Sequence, residues 1–122
     1  MGDYGERVAA DWLRAHGCKI LARNFKSPKG GEVDIVASFR RQLLFTEVKT
    51  RRKDAMIRGL AAVNRKKQRL ILRGAEEWLR RLGTREIPWR FDVIEVEVSE
   101  GETPKVQRIE NVFGNSGPRR KW

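Results

Sequence analysis

The sequence predicts a mixed α/β fold: a β-sheet flanked by helices, with the elements in the order α-β-β-β-α-β-β. Three observations carry this. Two segments have helical periodicity and end at glycine. Two alternating segments are joined by only two residues. The remaining apolar runs are short and rich in β-branched and aromatic residues.

The elements follow in chain order. Asp3 to His16 reads as a helix, with Asp3 as N-cap and Gly17 as the stop. Cys18–Phe25 reads as a short strand, and Ser27-Pro28-Lys29-Gly30-Gly31 has turn composition. Glu32–Phe39 alternates as a strand, with Val33, Ile35 and Ala37 on one face. Arg40-Arg41 connects it tightly to Leu43–Thr50, so the two should form an antiparallel hairpin. Arg51–Gly59 reads as a mobile basic loop. Asn64–Leu82 is a strong helix, capped by Asn64 and stopped by Gly83. Trp89–Val98 is a strand, and Lys105–Val112 is a marginal last one. Residues 1–113 thus read as one domain, and Gly114–Trp122 as a flexible basic tail.

Composition excludes several function classes. A chain of 122 residues with 39% hydrophobic and 35% charged residues can build one core. The longest stretch without a charge is Asn111–Pro118, against about 20 residues needed to span a bilayer. Asp3, Glu6, Arg7 and Asp11 precede any apolar run, so no secretory signal is expected. One cysteine, Cys18, and one histidine, His16, leave no intrachain disulfide, no Cys-based zinc cage and no Ser-His-Asp catalysis. Any metal chemistry must use carboxylates. A reducing cytoplasm is the expected compartment.

The net charge of +11 is unevenly spread. Residues 50–85 hold 12 basic and 3 acidic residues, whereas residues 86–122 are slightly acidic. A local excess of this size attracts polyanions, nucleic acid first among them. The plainer reading is a solvated basic surface. No segment joins a basic face to an exposed bulky apolar one, so a membrane surface is not the expected partner.

The chemistry-bearing residues are acidic. Strand period puts Glu32, Asp34 and Val36 on one face, and Leu43, Phe45, Glu47 and Lys49 on one face of the next strand. Charges that follow Leu and Phe inward are costly unless they find partners. Pairing Asp34 near Glu47 would bring two carboxylates and an ammonium to one edge of the core. Mg²⁺ suits such a site, because it takes one or two carboxylates plus water and phosphate oxygens. A cross-strand ion pair with Lys49 explains the same pattern without a metal. In the first helix Glu6, Ala10 and Leu13 share a face, so Glu6 points toward the buried side; an Asp3-x-x-Glu6 capping box is the alternative. In the long helix Lys67, Ile71, Gly74, Ala75 and Trp78 form one stripe, and Gln68, Leu72, Ala75 and Leu79 an adjoining one. Lys67 and Gln68 therefore begin the apolar face, where a lysine can also simply cover the rim of the core. Lys66, Arg69, Arg73 and Arg80 are left facing outward.

Set in order, the motifs are Gly5-Glu6-x-x-Ala9-Ala10-x-x-Leu13, Arg23-Asn24-Phe25, Gly31-Glu32-Val33-Asp34-Ile35-Val36, Glu47-Val48-Lys49-Thr50-Arg51, Lys67-Gln68-Arg69-Leu70 and Arg90-Phe91-Asp92-Val93. The ordered set resembles the YraN-like family of small bacterial proteins, over about residues 2–98. These are predicted endonucleases of the PD-(D/E)xK superfamily, related to archaeal-type Holliday-junction resolvases. The resemblance implies a restriction-endonuclease-like fold and makes Asp34, Glu47 and Lys49 the D…ExK core. It matches Glu6 to the additional acidic residue of helix 1 in resolvase-type nucleases, and Lys67 and Gln68 to the polar pair after the core. Val33 stands where the superfamily name has Pro.

The expected mechanism is metal-dependent cleavage of DNA, selective for branched structure rather than sequence. Asp34, Glu47 and the Val48 carbonyl would hold Mg²⁺ or Mn²⁺. Lys49 would orient or deprotonate the attacking water, Glu6 would complete the acidic cluster, and Lys67 and Gln68 would touch the phosphate. Arg51, Arg52, Lys53, Arg58, Lys66 and Arg69 would hold the nucleic-acid backbone without reading sequence. Two other classes stay open: a non-catalytic nucleic-acid-binding protein on the same fold, and a small basic ribonucleoprotein partner. Monomer and homodimer are both compatible with the sequence.

Overall fold

The computed structural model describes residues 2–53, 65–84 and 86–110. Its elements run α1 (Gly2–Ala15), β1 (Lys19–Lys26), β2 (Glu32–Phe39), β3 (Gln42–Arg52), α2 (Arg65–Leu82), β4 (Trp89–Val98) and β5 (Lys105–Ile109). The five strands form one sheet in the order β1-β2-β3-β4-β5. Only β3 and β4 run parallel; the other neighbours are antiparallel. The mixed sheet and the order α-β-β-β-α-β-β are those expected from the sequence.

The helices cover opposite faces. Ile71, Ala75 and Leu79 of α2 pack on Val36, Leu43, Phe45, Phe91 and Val93. Ala9, Ala10 and Leu13 of α1 pack on Ile35, Ala37, Leu44, Ile94 and Val96. Because β3 and β4 are covered on both sides, they carry nearly continuous apolar runs, Leu43–Phe45 and Val93–Ile94. Helix α2 lies directly against β2: a Cβ on Gly31 would strike the backbone of Arg73 and Gly74, and one on Gly74 would sit 3.1 Å from the backbone of Glu32. No helix among the described residues is long and apolar enough to cross a membrane.

Several details depart from the sequence reading. Helix α1 begins at Gly2, so Asp3 lies in its first turn rather than capping it. Arg51 and Arg52 are strand residues, because β3 continues beside β4 through the Arg52↔Val98 pair instead of opening into a loop. Leu72 is exposed, since α2 buries a single stripe of Ile71, Gly74, Ala75 and Leu79. The last strand ends at Ile109. Val33 joins the α2 cluster while Ile35 and Ala37 join the α1 cluster. Two-residue alternation therefore fails between Val33 and Ile35, close to where α2 meets Glu32 and Val33 at Gly74. On the neighbouring strand Asn24, between the Arg23↔Ile35 and Phe25↔Val33 pairs, has φ 56°, a left-handed conformation that Asn tolerates better than most residues. The β1–β2 register itself shifts elsewhere, between Ile20 and Ala22, and runs unbroken past Asp34. The proposed Asn64 cap, most of the 51–59 segment, Arg58 and the tail lie outside the described residues.

Candidate active site

The site forms where β2 parts from β3. The ladder between them ends at Ile35↔Thr46. One step further the same register sets Asp34 opposite Glu47. There the Asp34 carboxylate takes over from the backbone: its Oδ2 accepts a hydrogen bond from the Val48 N–H at 2.9 Å. A strand residue's N–H and C=O point to the same side, so the Val48 carbonyl also faces the end of β2.

Glu47 is the most constrained group. Its side chain is only 4% exposed, and its Oε2 lies 3.5 Å from Lys67 Nζ and 3.7 Å from Lys49 Nζ. Its Oε1 is buried and meets no N–H donor; while Glu47 keeps its proton, the carboxyl can hydrogen-bond the Asp34 carboxylate. Burial, then the adjacent Asp34 charge, push the Glu47 carboxyl up to about 8, against the pull of Lys67 and Lys49. Two like charges at a buried edge cannot both ionise freely without a cation.

The surrounding groups complete a charged ring. Lys67 Nζ donates to Glu32 Oε1 at 2.9 Å and so bridges Glu32 and Glu47. Burial pulls the Lys67 ammonium down, but the Glu32 hydrogen bond and the Glu47 and Asp34 charges outweigh it and leave it raised. The same hydrogen bond lowers the Glu32 carboxyl. Glu6 reaches the site from α1; burial and then Asp34 raise it, while Arg23, at 3.6 Å, opposes them. Because Asp3 is not the N-cap, the capping-box role for Glu6 falls away.

Of the sequence-derived site residues, Asp34, Glu47, Lys49, Lys67 and Glu6 come together around this edge. Gln68 is half-buried on α2 beside Lys67. Arg52, Lys53, Lys66 and Arg69 are exposed and free to meet a polyanion. Arg51 departs from that group: it is half-buried, its Nε is enclosed without a partner, and it faces the buried Glu95. Its strand position turns it along the α2 side of the sheet rather than out to solvent.

Glu32 and Arg23 were not singled out as site residues from the sequence. Glu32 shares strand parity with Asp34, which is the signal that marks it. Arg23 carries no such signal, because its meeting with Glu6 depends on how α1 crosses β1. Among the described residues no three His, Cys, Asp or Glu side chains gather into a ready-made metal cage. The available oxygen set is the Asp34–Glu47 pair with the Val48 carbonyl. A pair suits Mg²⁺, which keeps several waters and shares phosphate oxygens. Such an ion would take the place of the proton between Asp34 and Glu47, whose Oε1 meets no N–H donor.

Comparison with known sequences places these motifs in one group. The profile described as "Uncharacterised protein family UPF0102" matches residues 5–96. The chain belongs to this family. It is 46% identical over 114 residues to a UPF0102 protein of Trichlorobacter lovleyi, covering 93% of this chain and 89% of that one. It is 41% identical to UPF0102 proteins of Geobacter sulfurreducens and Symbiobacterium thermophilum, over 93% of this chain and 88% and 95% of theirs. The matched span includes every element from α1 to β4 that contributes to the site. This is the YraN-like family that the ordered motifs resemble.

Proposed function

We propose that this UPF0102 protein is a metal-dependent endonuclease of the PD-(D/E)xK type that hydrolyses phosphodiester bonds in DNA, selective for branched or junction structure. The observation that carries the reading is the Glu47 carboxylate: buried, facing Asp34, with no N–H donor at one oxygen and two ammonium groups beside the other. A purely binding surface has no use for an acidic pair where phosphate must approach. Restriction-endonuclease-like architecture and the D…ExK spacing of Asp34, Glu47 and Lys49 agree with it.

Asp34, Glu47 and the Val48 carbonyl would hold Mg²⁺ or Mn²⁺. When bound, the ion supplies Lewis-acid stabilisation and an activated water. The chain's own groups do the rest. Asp34 is fixed by the Val48 N–H, so its carboxylate is preorganised. Lys49, a quarter exposed, can reach both the buried carboxylate and an incoming phosphate, to orient the attacking water and offset charge growing on phosphorus. Lys67 and Gln68 approach the same phosphate from α2. Glu6 adds negative charge behind Asp34. Arg52, Lys53, Lys66 and Arg69 grip the backbone on either side. Nothing in this set reads base edges, so DNA shape sets the selectivity.

The test is a cleavage panel of branched, nicked, single-stranded and duplex DNA with Mg²⁺ or Mn²⁺. Wild type should cut branched DNA. Asp34→Ala should abolish cutting and Mn²⁺ binding. Lys49→Ala should lower the rate by on the order of 10²–10³ yet leave DNA affinity nearly unchanged. Metal-independent DNA binding without cleavage, unaffected by Asp34→Ala, would favour the non-catalytic binding protein instead.

A further inference from the structure

The Glu32–Lys67 pair has no role in the two-carboxylate scheme, yet it is the tightest ion pair at the site, at 2.9 Å. Its setting is built. The Gly31–Gly74 contact pins α2 on β2 right beside Glu32, and two turns earlier on α2 Lys67 reaches down over the same residue. Lys67 therefore has two carboxylates in reach, a partly exposed one on Glu32 and a buried one on Glu47. Once Glu47 gives up its proton, as it must to hold a cation, its charge attracts the ammonium at a low-dielectric position and so the more strongly per unit distance. Without Glu32 the ammonium would be drawn closer to Glu47 Oε2 and offset the negative charge that a divalent cation needs. Glu32 holds the Lys67 ammonium at 2.9 Å, while the same Nζ stays 3.5 Å from Glu47 Oε2, longer than an ordinary hydrogen bond.

We propose that Glu32 is a positioning residue that draws the Lys67 ammonium away from Glu47 and so keeps the Glu47 carboxylate open to a divalent cation. The inference rests on the metal-dependent reading above and adds a residue to it. It predicts that Glu32 acts only through Lys67, which separates it from a carboxylate that attracts the cation by its own charge.

The experiment is a double-mutant cycle of Glu32→Gln and Lys67→Met, read by Mn²⁺ binding to the full chain without DNA, with thermal melts of each variant alongside. Glu32→Gln should weaken Mn²⁺ binding about tenfold, the scale of an outer-shell partner. Lys67→Met should tighten it. In the Lys67→Met background Glu32→Gln should change nothing, because there is no ammonium left to position. Equal weakening in both backgrounds would show that Glu32 acts directly through its charge, and unchanged or tighter binding on Glu32→Gln alone would show that it does not restrain Lys67; either overturns the proposal. Asp34→Asn separates the two levels. If it leaves Mn²⁺ binding untouched, the metal-site reading itself fails and this inference with it. If Asp34→Asn abolishes binding while the cycle shows no coupling, only the role of Glu32 is lost.

Discussion

Replacing Glu47 by Gln should stabilise this protein at alkaline pH. The carboxyl is displaced from 4.5 to about 8 in the folded chain, by burial first and by the Asp34 charge second. An unfolded chain ionises this group near 4.5; the folded chain resists until near 8. Between those values the folded state holds the extra proton, so unfolding free energy falls as pH rises. At about 1.4 kcal/mol per pH unit, the interval amounts to on the order of 5 kcal/mol. Water entry and small shifts of the surroundings as the charge forms reduce this, so the expected penalty at pH 8 is about 2–5 kcal/mol. Gln is nearly isosteric and never ionises. Urea unfolding of wild type and Glu47→Gln at pH 5, 6, 7 and 8, in chelator, isolates the effect because the other titrating groups are shared. The two stabilities should converge near pH 5 and separate steadily to pH 8, with the variant higher. Saturating Mg²⁺ should then raise wild type and not the variant. Parallel pH profiles, or a variant less stable at pH 8, would refute the claim that Glu47 is an uncompensated buried acid.

Other outcomes follow from the same geometry. Arg52→Ala should weaken DNA binding modestly and reduce its salt dependence by about one phosphate contact, a log–log slope change of roughly 0.9, while sparing the rate at saturation; titrations at several salt concentrations measure it. Gly31→Ala should destabilise by about 1–3 kcal/mol, because its Cβ would lie 2.6 Å from the Arg73 carbonyl carbon, where only backbone movement makes room; denaturant melts check it, and a change confined to the unfolded state would leave Mn²⁺ binding intact where a lifted α2 would not. Arg90→Ala should cost about 3 kcal/mol, since it removes the guanidinium that meets the buried Asp92 carboxylate at 2.9 and 3.1 Å; an unfolding midpoint unchanged from wild type would contradict it.

The elements and their order are legible in the amino-acid sequence alone. Local signals suffice for that: glycine stops at 17 and 83, a two-residue hairpin turn at Arg40-Arg41, and apolar periods that separate α2 from β4. The sequence also singled out Asp34, Glu47 and Lys49, because inward charges after Leu43 and Phe45 need partners, while a cross-strand ion pair explained the same pattern. What only the tertiary structure decided depends on contacts between distant segments. That Asp34 replaces a ladder hydrogen bond to Val48 requires β2 to part from β3 at Ile35, and no local pattern encodes where paired strands separate. That Val33 and Ile35 belong to different cores shows only once both helices are docked on the sheet. That Arg51 turns along the sheet toward Glu95, while Arg52 meets solvent, follows from β3 continuing beside β4, which a run of basic residues does not announce. And the partnership of Glu32 with Lys67 joins residues 35 positions apart, through a helix docked by two glycines. Period and composition fix which way a side chain leaves its own element; only the packing of one element on another decides which charge it meets.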